Sequence, residues 1–115
     1  MSDPATSPDL GELVERLGDA GLVQDILVAY LEALPERVEA VRAAPGADSL
    51  RAAHSLKSAS ALLGLSALAE ACASLEAALR ADPDTAPGHL VDAVVELAAE
   101  ARTGVAGLVS SPRPT

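Results

Sequence analysis

The residues Leu65, Leu68, Cys72, Leu75 and Leu79 fall at alternating spacings of three and four, and Leu90, Val94, Leu97, Ala101 and Leu108 repeat that rhythm later in the chain. Such a period lines one stripe of an α-helix and no single face of a strand. Ala and Leu dominate the apolar half of the sequence and Tyr30 is its one aromatic residue, a balance that favours helices, since strands draw on β-branched and aromatic side chains. At 115 residues the chain is the size of one domain, able to hide about two-thirds of its unfolded surface in a single core.

Glycine and proline divide the chain. Residues 1–8 and 110–115 are rich in Ser, Pro and Thr without apolar periodicity and read as disordered tails around a domain at 9–109. Within that domain a short helix is expected over 9–17, ending at Gly18, and a long one over 20–44, kinked at Pro35 and stopped by Pro45-Gly46. A third helix is expected with Asp48 or Ser49 as its N-cap, running to Gly64, and a fourth with Ser66 as its N-cap, running to residue 81. After the breaker Asp82-Pro83-Asp84-Thr85-Ala86-Pro87-Gly88, a last helix spans 87–109, weakened by Gly104 and Gly107. Four long amphipathic segments with short connections predict an all-α, up-down-up-down four-helix bundle with a short additional N-terminal helix.

Seventeen acidic residues against eight basic ones give a net charge of −9, which leaves no electrostatic footprint for nucleic acid or an anionic membrane. The single cysteine, Cys72, has no internal disulfide partner, no signal peptide is evident, and no apolar run is long enough to span a bilayer; a reducing cytoplasm is expected. Two distant histidines and one cysteine supply no metal-ligand pattern.

On a wheel of about 100° per residue, Ala52, Leu56, Ala59 and Leu63 of the third helix lie within about 60° of one another and mark its buried side. His54 points the other way, with Leu50, Lys57, Ser58 and Ala61 on its own face. A lone histidine is more often an incidental surface residue than a functional one. A neutral imidazole on a solvated face nevertheless offers a lone pair to phosphorus near neutral pH, Lys57 one turn on suits a transferred phosphoryl group, and small side chains at 58 and 61 admit a partner's active site.

The stretch Ala53-His54-Ser55-Leu56-Lys57-Ser58-Ala59-Ser60-Ala61-Leu62-Leu63-Gly64, continuing through Leu68 and Cys72 to Leu75-Glu76, closely resembles the signature of histidine phosphotransfer (HPt) domains. The upstream segment Tyr30-Leu31-Glu32-Ala33-Leu34-Pro35-Glu36-Arg37-Val38 looks like that family's second helix, so the resemblance covers roughly residues 10–109. It implies that His54 accepts a phosphoryl group on Nε2 from the aspartyl phosphate of a response-regulator receiver domain, or from a hybrid histidine kinase relay, and passes it to another receiver. Lys57 would help neutralise the group, and Glu76 would accept a hydrogen bond from the other ring nitrogen. No cofactor of its own is implied, Mg²⁺ being expected from the receiver. Wheel geometry lets Glu76, one turn after Cys72 and about 40° off the apolar seam, reach a facing helix.

The chain departs from the family at Ser58, where glycine is usual at the closest approach of the receiver. The hydroxymethyl group is either accommodated or bonded back to the carbonyl of His54, and slower transfer or altered receiver choice is expected. The second helix also has more apolar residues than one seam uses, among Leu22, Val23, Ile26, Leu27, Val28, Tyr30, Leu31 and Leu34. Most belong to the core, while Leu22 and Ile26 join Leu50, Ser58 and Ala61 as candidates for receiver docking. Cys72 reads as a core residue and His89 as a surface or capping residue.

A phosphocarrier without a nucleotide site and without autonomous catalysis is therefore expected, as a monomer. The alternative is a degenerate HPt domain, an adaptor that binds receivers and transfers nothing. A small hydrolase built on His54 lacks a second nucleophile or a water-activating pair.

Overall fold

The computed structural model describes residues 8–109; the tails expected at the two ends lie outside these residues except for Pro8, which is buried. The described chain forms five helices: α1 (Leu10–Leu17), α2 (Ala20–Arg42), α3 (Ala47–Leu62), α4 (Ser66–Ala81) and α5 (Gly88–Ala106). The long helices close into a ring, α2 packing on α3, α3 on α4, α4 on α5 and α5 back on α2, while α1 lies against α2.

Local chemistry starts and stops these helices. Asp9 accepts from the Glu12 N–H at 3.0 Å, and Asp19 accepts from the N–H groups of Gly21 and Leu22 at 2.7 and 3.2 Å, satisfying donors that the first turn leaves open. α3 ends in a Schellman turn: Gly64, at φ 77°, donates to the Ala61 carbonyl, and Leu65 donates back to Ser60 at 2.8 Å. α2 runs through Pro35 as one helix, although proline offers no N–H to the Leu31 carbonyl.

Two expected caps are corrected. α3 begins at Ala47 behind Gly46, not behind Asp48 or Ser49, because the Leu50 N–H already bonds the Gly46 carbonyl. Ser49 is instead buried and donates to the Ala40 carbonyl at 2.7 Å, fastening the start of α3 to the end of α2. Ser66 is the first residue of α4 and not its cap; Leu65 holds the cap position, drawn fully into the core by the turn at Gly64. α5 stops at Ala106, three residues short of expectation, as its last N–H groups close shorter turns from Leu108 to Val105 and from Val109 to Ala106.

The core holds Leu13 of α1, Val23, Leu27, Tyr30, Leu34 and Val41 of α2, the α4 seam, and Val94, Ala98, Ala101 and Val105 of α5. In α5 the stripe is thus rotated from the expected one, with Leu90, Leu97 and Leu108 at its partly buried edges. In α3 the buried set is Ser49, Ala52, Ala53, Leu56 and Ser60, with Leu63 just beyond, whereas Ala59 is only partly covered. Ser60 escapes a hydropathy reading because it is polar; its hydroxyl is satisfied in the core by the Tyr30 hydroxyl at 3.0 Å. No described helix is long and apolar enough to cross a membrane.

Candidate functional site

The site forms where the middle of α3 faces α4. His54 stands on the outer side of α3 with 56% of its side chain exposed, and its Nδ1 lies 2.8 Å from Oε2 of Glu76. Glu76 itself is buried, at 4% exposure, one turn after the core residue Cys72. Ala53 beside His54 and the α4 seam residues Cys72 and Leu75 are fully covered where α3 packs on α4.

A carboxylate removed from water needs partners, and Glu76 has three. Lys57 Nζ donates to Oε1 at 2.5 Å, Arg80 Nη2 donates to Oε2 at 2.7 Å, and the His54 ring shares Oε2. These bonds favour the charged form, the Lys57 bond most and the Arg80 bond next, and they outweigh the opposing effect of burial, so the carboxyl is held at about 2 against an ordinary 4.5. An acceptor-only carboxylate at Nδ1 requires the proton on that nitrogen in a neutral ring. The lone pair is then left on Nε2, the ring nitrogen not bonded to Glu76, in a side chain that is more than half exposed.

Arg80 is the site residue that sequence reading missed. Its signal was the spacing of four from Glu76 on one helix, which pairs opposite charges across a turn. Arg51, Arg80, Leu50 and Ala47 surround an open depression of about 330 Å³ beside His54. Arg51, Lys57 and Arg80 are three of only eight basic residues in the sequence, and against their partners Asp48 and Glu76 they leave an excess of one positive charge beside the imidazole in a chain of net charge −9. Arg51 is mostly solvated and paired with Asp48 at 3.0 Å.

The remaining candidates spread over two faces. Ser58 and Ala61 are exposed along the ridge of α3 that carries His54, and Leu50 is half-buried against the core. The Ser58 hydroxyl makes no bond to the His54 carbonyl or to any other described residue. Ile26 is half-buried and lines a shallow groove between α2 and α3 with Ala29, Ala59, Leu62 and Leu63. Leu22, a turn earlier in α2, is 45% exposed, and Leu62 is 41% exposed. Ile26 therefore adjoins the C-terminal half of α3, not the imidazole itself.

Cys72 is fully buried, and its thiol is pushed up to about 12, first by burial and then by the nearby Glu76 charge. His89 is exposed in the first turn of α5.

A sequence model of the Hpt domain family matches residues 25–104, which is more than half of the chain and includes every residue of the His54–Glu76–Lys57–Arg80 cluster. The chain belongs to the Hpt domain family. Members of this family are phosphocarriers rather than enzymes in the full sense, relaying phosphoryl groups through a histidine in exchanges with receiver domains and kinases. No curated protein and no solved structure matched the chain.

Proposed function

We propose that this protein is a phosphorelay intermediate whose phosphoryl carrier is Nε2 of His54. The observation that carries the reading is the bond from Nδ1 of His54 to the buried carboxylate of Glu76, which leaves a nucleophilic nitrogen facing solvent. The Nε2 lone pair forms the N–P bond while the P–O bond of a receiver's aspartyl phosphate breaks, its electron pair leaving with the aspartate carboxylate. No proton has to move. The ring proton stays on Nδ1 and the positive charge that develops on the ring faces Glu76, while the phosphoryl oxygens lie within the reach of Lys57. Reversal of the step onto another response regulator completes the relay.

Short connections between neighbouring helices support an up-down-up-down course for α2 to α5, which leaves the His54 ridge open to a partner as a monomer would require. Ser58 and Ala61 form the close-approach surface, with Leu50 at its edge and Ile26 and Leu22 as the apolar margin on α2. The receiver supplies Mg²⁺ and the acidic pocket, to which the cationic rim of Arg51, Lys57 and Arg80 is complementary. A cytoplasmic setting suits such partners.

The adaptor reading, in which receivers dock and nothing is transferred, draws on the exposed Ser58 side chain. Single-turnover transfer from phosphorylated receiver domains decides between the two. Acid-labile, alkali-stable phosphate is expected on the native chain and not on His54→Gln; receiver binding without label on the native chain would overturn the carrier and favour the adaptor.

A further inference from the structure

We propose that Arg80 is a positioning residue for the phosphoryl step: it is the standing counter-ion of Glu76, and its presence frees Lys57 to leave that carboxylate for the phosphoryl group. The inference rests on the phosphocarrier reading of His54 and adds a residue and a division of labour to it.

The three donors around Glu76 are not equivalent. Lys57 alone occupies Oε1, whereas Arg80 and the His54 ring share Oε2. Lys57 is one turn beyond His54 on the same helix and ends in a compact ammonium on a flexible stem, so it can turn from the carboxylate to a group on Nε2. Arg80 comes from α4, on the same helix as Glu76, and its guanidinium holds Oε2 across one turn with 61% of its side chain in solvent. Nothing in that geometry asks it to move.

Before transfer the Glu76 carboxylate faces two cations, Lys57 and Arg80, and a neutral ring. As the N–P bond forms the ring becomes cationic and Lys57 is drawn to the phosphoryl oxygens, so Glu76 again faces two cations, the ring and Arg80. Without Arg80, the departure of Lys57 would strip a carboxylate of 4% exposure of its last fixed cation before the ring has acquired its charge. Lys57 would then stay on Glu76, and the phosphoryl group would go without it. Arg51, the other cation beside His54, is largely in solvent and bonds Asp48, with no described bond to Glu76.

The test uses a small phosphodonor, phosphoramidate, so that receiver recognition does not enter. Labelling rate and phosphohistidine lifetime are measured on the native chain, Arg80→Gln, Arg80→Lys, Glu76→Gln and the Glu76→Gln/Arg80→Gln double variant, with folding of each checked by circular dichroism. Arg80→Gln should slow labelling by about tenfold, the scale of one charge-assisted hydrogen bond, and Arg80→Lys should recover most of the loss. In the Glu76→Gln background, where no carboxylate needs a counter-ion, Arg80→Gln should cost less than about twofold. An equal loss from Arg80→Gln in both backgrounds would mean that the guanidinium touches the phosphoryl group directly, and would overturn the proposal, as would a native rate in Arg80→Gln or a native chain that takes no label. Native labelling by phosphoramidate with the expected coupling, but no transfer from any receiver, would leave the Arg80 assignment standing and remove the relay.

Discussion

Nδ1 of His54 on α3 and Oε2 of Glu76 on α4 lie 2.8 Å apart, although the first side chain is more than half exposed and the second is buried. One bond thus joins the solvent side of one helix to the covered side of its neighbour. The ring is held at one nitrogen, while its other nitrogen bonds none of the described residues.

The same carboxylate makes stability depend on pH. In the folded chain Glu76 is held at about 2, below its ordinary 4.5, chiefly by Lys57 and then Arg80. A group whose folded value is depressed contributes fully above its unfolded value and loses that contribution as pH falls through the folded one. The loss therefore falls between about pH 5 and pH 2, and amounts to about 1–3 kcal/mol because the two cations are partly solvated. Urea unfolding of the native chain and Glu76→Gln should show a stability gap at about pH 7 that narrows below about pH 5 and closes towards about pH 2. A gap that stayed constant with pH would show that the ion cluster contributes nothing to folding.

Gly64 ends α3 at φ 77°, and a Cβ built there would meet nothing within 4 Å. The cost of Gly64→Ala is therefore one of backbone conformation, not of collision, about 1–2 kcal/mol. Gly64→Asn should lose less, since asparagine tolerates the left-handed region better. Thermal melts of the two variants check the order, and equal losses would mean that the turn does not require that conformation.

Ser58→Gly separates docking from chemistry. The side chain is exposed and its hydroxyl bonds none of the described residues, so the change should leave phosphoramidate labelling of His54 unaltered. It should cost about 0.5 kcal/mol of helix stability. Transfer from receivers is expected to accelerate or to change in rank among receivers, because a methylene and hydroxyl leave the close-approach ridge. Identical receiver kinetics would show the serine to be neutral.

Cys72 should be silent towards thiol reagents in the folded chain. It has no exposed surface and a thiol pushed up to about 12, so an aromatic disulfide reagent at about pH 8 should react only after denaturant is added. Reaction at a rate independent of denaturant would place the thiol outside the core.

The helical class, the breaks between helices, the α4 seam and the outward direction of His54 could all be read from the residues alone. Each follows from local rules: a period of three and four, the conformational demands of glycine and proline, and the angle between residues on one helix. Glu76 is singled out by the resemblance to HPt domains, and its angle from the α4 seam, fixed by spacing, allows it to reach a facing helix.

What lay beyond local rules was decided by packing. Ser49 and Ser60 are polar, yet both are buried because α2 supplies a carbonyl to one and a phenol hydroxyl to the other. The cap positions at Asp48, Ser49 and Ser66 gave way to Gly46 and Leu65, because the turns that join helices in contact set where each helix must begin. The Arg80 spacing was visible from the start, but its meaning was not. Only the meeting of α3 and α4 brings His54, Lys57 and Arg80 onto one carboxylate, and the strength of that cluster comes from the exclusion of water around Glu76, a property of the assembled core and not of any one segment.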